Sequence, residues 1–219
     1  MCSDNGVVEE GVSSAPQSVT LAQTINFTRS LTGVGTLAKY FNVDLLVVDM
    51  GINADLPAGL LTKEPLEQSG CGFRTTKKIV DRKLRKSTSN LVREPAMTRE
   101  EAVKAIGTGI EMAREIKRAG YDIFGIGEMG IGNTTTSSAI LSALTGFPAS
   151  ETVGIGGGIT ERSLLRKREI VDDVIARYGF HGQEDIDVID VLTKVGGFDV
   201  AAMTGAFLGA AACRLPVVI

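Results

Sequence analysis

Tryptophan is absent from this chain of 219 residues, and aromatics of all kinds make up only 5%. So thin an aromatic content argues against a β-sandwich built around large rings. Histidine occurs once, as His181 in the polar run HGQED. A histidine-based catalytic triad would have to use it, and nothing near it supplies a partner, so a loop residue is expected there. The three cysteines, Cys2, Cys71 and Cys213, are widely spaced and form no C-x-x-C pair. That excludes a disulfide framework or a zinc site and fits a reducing cytoplasm. No sign of charge dominates. The net charge is −3, which gives no general attraction to nucleic acid or to an anionic membrane. The basic run from Arg74 to Arg93 has no interleaved rings beyond the adjacent Phe73 and reads as a solvated strand or loop. Long apolar runs are lacking as well. The most apolar segment, 200–213, is uncharged for fourteen residues, against roughly 20 needed to span a bilayer. Its many Ala and Gly predict a buried helix. The opening run MCSDNGVVEEG is polar and acidic, which predicts no leader peptide.

What the chain does have is small residues. Apolar residues reach 43%, and there are 26 glycines. Short Val- and Ile-rich runs at 44–52, 121–127, 152–157 and 215–219 are apolar on both faces and predict strands of a covered parallel sheet. Helical patterns lie between them at 18–31, where Leu21, Ile25 and Thr28 share a face, and at 134–146. A third, at 161–179, is expected to bury Leu164, Val171, Val174 and Tyr178. Others follow near 190 and over 200–213. A further helix opens with the capping box Thr98-x-x-Glu101, places Ala102, Ile106, Ile110, Ala113 and Ile116 at helical spacing, and stops at Gly120. The alternation predicts an α/β fold: a doubly wound, mostly parallel sheet with flanking helices, a Rossmann-like three-layer arrangement. Residues 1–219 are expected to form one core domain, with 63–95 as an excursion from the sheet. Turn-like residues follow Met1 at once and an apolar run closes the chain, which predicts a domain truncated at both ends. Expressed alone, such a chain is expected to aggregate or to be marginally stable.

The stretch GIGEMGIGNTTTSSAI, residues 125–140, is the densest in chemistry. Its first six residues satisfy G-x-G-x-x-G. Three details oppose a dinucleotide: Glu128 lies inside the glycine triplet, the helix starts near Asn133 beyond the last glycine, and the acidic residue some 20 positions on, Glu151, precedes a predicted strand instead of ending one. The same physics serves a different phosphate. Asn133, Thr134 and Thr135 would stand at a helix N-terminus, where backbone N–H groups attract anions. A second glycine-rich turn, GIGGG at 154–158, lets backbone approach a ligand closely, and Lys167 in the helix after it is within reach of a phosphate. Glu128 would contact the ligand, pair with a lysine, or cap the turn.

Five segments, GIGEMGIGNTTTSSAI, VGIGGG, KVGGFDVAAMTGAFLGAAACRLPVV, DNGVVEEGVS and EPAMT, closely resemble the nicotinate-nucleotide–dimethylbenzimidazole phosphoribosyltransferase family, in order and along nearly the whole chain. The resemblance implies a homodimeric enzyme with a parallel α/β sheet that needs neither metal nor redox cofactor. It moves the phosphoribosyl group of nicotinate mononucleotide to dimethylbenzimidazole, giving nicotinate and α-ribazole phosphate for cobalamin lower-ligand synthesis. By motif it assigns the phosphate and ribose to Gly130, Asn133, Thr134 and Thr135, with Gly154, Gly156 and Lys167 opposite. Gln23 is assigned to the base site and Glu128 to a supporting catalytic role. The family's general base lies in a Gly-Glu-Gly motif that residues 1–219 do not contain. A Gly-Ser-Leu-Gly segment is also missing, and Ala15 stands where some relatives carry serine. The other expectation is therefore a non-catalytic protein that binds the nucleotide or the benzimidazole.

Overall fold

The computed structural model describes residues 1–69, 72–75, 77–180 and 185–219, with the side chains of 67–69 and 72–75 left aside. Cys71 and His181 lie outside the described residues. The chain opens with β1 (Cys2–Ser3), a 3₁₀ turn at Gly6–Glu10, α1 (Ser18–Thr28) and α2 (Gly33–Tyr40). The strands β2 (Val47–Gly51), β3 (Leu61–Thr62), β4 (Leu66–Ser69), β5 (Gly72–Thr75) and β6 (Ile79–Asp81) follow. Then come α3 (Arg99–Arg118), β7 (Phe124–Gly125), α4 (Asn133–Thr145), α5 (Ala149–Thr152), α6 (Glu161–Tyr178), α7 (Val188–Val195), α8 (Phe198–Ala212) and β8 (Val217–Val218).

Four strands form one parallel sheet in the order β1-β2-β6-β3. A separate parallel pair, β7-β8, reaches that sheet through a bridge between Cys2 and Met129, and β4 and β5 make an antiparallel hairpin. Alternation along β2 sorts the layers. Val47 joins Cys2, Ile52 and Ile79 on the face covered by Leu21 and Ile25 of α1. Val48 and Met50 face Ala102, Ala105 and Met112 of α3 and Ala201 and Ala202 of α8. The fold is therefore a mostly parallel sheet with flanking helices. A further core, made by Ala139, Val153, Ile170, Val171, Val174 and Val191, packs α4, α6 and α7 together.

Helix starts follow from local chemistry. Thr98 caps α3 in a complete capping box with Glu101, and Thr160 caps α6 by accepting from Ser163 N–H. Asp187 caps α7 by accepting from the N–H groups of Ile189 and Asp190. Helices α3 and α8 meet backbone to backbone, because a Cβ on Gly109 would fall 1.9 Å from the Ala202 carbonyl oxygen and one on Gly205 1.9 Å from that of Ile106.

Several expectations are corrected. The run 152–157 is not a strand: α5 ends at Thr152, and Gly156 and Gly158 adopt left-handed φ angles of 55° and 87°. Only Val153 of that run is buried, so the glycines leave nothing to pack on a sheet. In α6 the buried face is Lys167, Ile170, Val171, Val174 and Ile175, with Leu164 and Tyr178 at its margin. Helix α2, which no expectation covered, carries two glycines, and Thr32 caps it by accepting from Gly35 N–H at 3.0 Å. Strand β6 hides in a basic run, but its Ile79 and Val80 are wholly buried.

Candidate active site

The site is built where β1, the end of β7 and the start of α4 converge. Residues 130–133 turn sharply into α4. Gly130 is required there because a Cβ would fall 1.9 Å from the Ser3 carbonyl oxygen and 2.9 Å from Asp199 Oδ2. Gly132, the N-cap of α4, holds φ at 95°, a conformation that favours glycine. No side chain caps α4; Asn133 N–H donates to the Gly130 carbonyl and Thr135 N–H to that of Gly132, and the positive end of the helix dipole lies at this turn.

The turn after β1, Asp4-Asn5-Gly6, clamps the turn at 130–133 from two sides. Ile131 N–H donates to Thr20 Oγ1 at 3.0 Å, and Thr20 donates to Asp4 Oδ1 at 2.6 Å, tying α1 to the turn. Asp4 Oδ2 also accepts from Asn53 N–H at 2.8 Å. On the other side Asn5 Nδ2 donates to Asp199 Oδ2 at 3.4 Å, which brings in α8. Burial raises the Asp4 carboxyl above its usual range despite those donors. Burial likewise raises Asp49, which accepts from Gly51 and Ile52 N–H and pairs with Lys83 at 3.3 Å. Asp199 is fully buried, and desolvation pushes it up to about 6.

Opposite the turn lies Lys167. Its side chain is 1% exposed, and its Nζ donates to Thr134 Oγ1 at 2.8 Å. Among the described residues no carboxylate forms an ion pair with it, and burial holds its ammonium below the ordinary lysine range. Gly156 completes the group: a Cβ there would sit 3.1 Å from Thr134 Oγ1 and 3.7 Å from Lys167 Nζ. Backbone, hydroxyl and ammonium thus share one small volume at the start of α4. A cation left without a counter-ion in such a place is unfavourable on its own, and an anion at the helix terminus would answer both it and the dipole.

The remaining expected residues divide. Glu128 is exposed and accepts from Asn133 Nδ2 across the turn. Thr135 is wholly buried, and its hydroxyl has no partner among the described residues. Gly154 is exposed, with open space where a Cβ would fall. Gln23 is half-buried on α1, three residues after Thr20 and so on the helix face that reaches the turn. A cavity of about 530 Å³ adjoins Glu128 and is lined by Phe27, Val34, Leu45, Ile123 and Phe124; Gln23 does not line it. Sequence reasoning passed over Asp4, Asn5, Thr20 and Asp199. The DNG turn and the GGFD start of α8 carried the signal, but only the fold brings them beneath residues 130–132.

A family model described as phosphoribosyltransferase matches residues 1–219. The chain belongs to the phosphoribosyltransferase family. Among curated relatives of this family, the nicotinate-nucleotide–dimethylbenzimidazole phosphoribosyltransferase of Clostridium perfringens (strain ATCC 13124) is 49% identical over 219 residues, covering 100% of this chain and 55% of its own length. That of Ruminiclostridium cellulolyticum is 48% identical and is covered over 56% of its length. The crystal structure of CobT from Thermus thermophilus superposes with a TM-score of 0.84 at 34% identity, over 99% of this chain and 59% of that one. The chain spans about half the length of the curated relatives it matches.

Proposed function

We propose that this phosphoribosyltransferase chain carries the ribose-phosphate site of an enzyme that moves the phosphoribosyl group of nicotinate mononucleotide to dimethylbenzimidazole. The single observation that carries the reading is Lys167, a buried ammonium with no carboxylate partner among the described residues, bonded to Thr134 at the uncapped start of α4. The names of the relatives supply the substrates.

In this reading the nucleotide's phosphate sits at the positive end of α4, against the Thr134 hydroxyl and Lys167, with the Gly156 backbone at its side. Gly130, Asn133 and Thr135 shape the turn, and Gly154 and Gly156 keep the opposite rim bare. Holding the phosphate and both rings fixes the anomeric carbon for in-line attack. An imidazole nitrogen attacks from the face opposite nicotinate, and the breaking glycosidic bond leaves its electron pair on the pyridine nitrogen. The configuration inverts from β to α. The azole N–H proton passes to a carboxylate. The resemblance gives that role to a Gly-Glu-Gly motif with no counterpart in residues 1–219, while Glu128 supports the site and Gln23 borders the base. No metal or redox group is needed for this chemistry. The reading extends to a homodimer working in the cytoplasm.

Two assays test it. A protein extended to the length of its relatives and given nicotinate mononucleotide and dimethylbenzimidazole should release nicotinate; no release would overturn the assignment. Residues 1–219 alone should bind the nucleotide with little or no turnover.

A further inference from the structure

Beneath the anion turn lies a pair of side chains that the transfer chemistry does not use. Asp199 and Asn5 are both 0% exposed. Asn5 Nδ2 reaches Asp199 Oδ2, and Val200 N–H donates to Asp199 Oδ1 at 2.9 Å. Asn5 Oδ1, however, is buried without a hydrogen-bond donor among the described residues. Gly197 shows how close the two groups stand: a Cβ there would fall 2.3 Å from Asp199 Oδ1 and 2.6 Å from Asn5 Oδ1. The pair presses directly on the turn, since Asp199 Oδ2 bars a Cβ on Gly130 and the Asn5 Cβ and carbonyl oxygen bar one on Gly132. A buried amide oxygen without a donor beside a buried carboxyl group needs a proton between them.

We propose that Asp199 is a positioning residue that works as the carboxylic acid, donating its proton to Asn5 Oδ1 and so locking α8 and β1 beneath the anion turn. The proton comes from solvent and forms an O–H bond on the carboxylate, and no bond between heavy atoms changes. Two charged groups act on Asp199 besides its own helix: Glu128 from the loop after β7, which favours the protonated form, and the α-amino group of Met1 just before β1, which opposes it. Desolvation outweighs both and raises the acid to about 6. A phosphate arriving at the turn adds negative charge above the same pair and draws the proton on further. Nucleotide binding and proton uptake are thereby linked, a consequence that rests on the ribose-phosphate reading of the turn.

The test is calorimetric titration of nicotinate mononucleotide into the chain at pH 7, in buffers of small and of large ionisation enthalpy. The wild type should show a buffer-dependent heat, reporting proton uptake, that is clearly smaller in Asp199→Asn. The Asn variant mimics the neutral acid, because its amide N–H can donate to Asn5 Oδ1, and it should bind nearly as tightly as the wild type. Asp199→Ala should bind about tenfold more weakly. Equal buffer dependence in the wild type and the Asn variant, or an Asn variant as weak as Ala, would overturn the proposal. If the nucleotide binds none of the three, the ribose-phosphate reading fails and thermal unfolding decides on the proton alone. A raised carboxyl keeps its proton in the folded state while the unfolded chain loses it, so the wild type should lose melting temperature relative to Asp199→Asn between about pH 4 and about pH 6, then level off. Parallel curves would sink the proposal.

Discussion

A lysine ammonium withdrawn from water is tolerated only where something answers its charge. Among the described residues the group that answers Lys167 is the Thr134 hydroxyl. This makes Lys167→Met informative in both directions. The methionine keeps most of the volume and removes the desolvation cost, so the melting temperature should hold or rise, while affinity for the nucleotide should fall by about 10- to 100-fold. The pH dependence has a definite sign. Because the folded lysine gives up its proton below the ordinary lysine range, nucleotide binding should weaken as pH rises through that depressed value. Over the window from there up to the ordinary range, the unfolded chain binds the extra proton, so wild-type stability should rise with pH. Lys167→Met should flatten both profiles. Gly130 gives a steric prediction at the same scale. Gly130→Ala places a methyl against the Ser3 carbonyl and should cost about 1–3 kcal/mol, read as a lower urea midpoint.

At the scale of elements, helix starts were legible wherever a capping residue preceded apolar spacing. Thr98 with Glu101 announced α3 in advance, and the cap is present as expected. Thr98→Ala should destabilise the chain by about 1 kcal/mol, a fall of roughly 2–4 °C in melting temperature for a domain of this size. Other elements were hidden for physical reasons. Strand β6 is three residues long and sits in a run of Lys and Arg, so its buried Ile79 and Val80 do not make a visible period. Helix α2 is carried by its Thr32 cap in spite of Gly33 and Gly35. The false strand at 152–157 had Val and Ile in alternation, but glycine φ angles turned the chain instead. The small residues of 200–213 did predict a buried helix, and α8 shows why they are small: its backbone touches α3 at Gly205. Gly205→Val should separate the two helices and lower stability by at least about 1–3 kcal/mol, a loss seen in the same denaturant titration.

Across the whole molecule, the site is an assembly of sequence-distant pieces, and that limits what a linear reading can find. The turn 130–133, Thr134, Gly156 and Lys167 were identified together because each carries its own local signature of glycine, hydroxyl or lysine near a helix start. The structure brings Thr134, Gly156 and Lys167 into contact. Asp4, Asn5 and Asp199 carry no such signature, and Thr20 is one of several hydroxyl residues along α1. Asp199 opens a helix as many acidic residues do, and only the fold sets it against Asn5, 194 residues away. The buried Asp199–Asn5 pair lies beneath the turn, and the Lys167 ammonium stands on Thr134 at the start of α4.

The most direct test of this account is the binding of nicotinate mononucleotide to residues 1–219, compared between the wild type and Lys167→Met by isothermal titration calorimetry with thermal melts in parallel. The account predicts one site per chain in the wild type, weakened at least about tenfold in the variant, with the variant's melting temperature unchanged or higher. Equal affinity in the two proteins would contradict it, because the phosphate would then be held somewhere other than the start of α4.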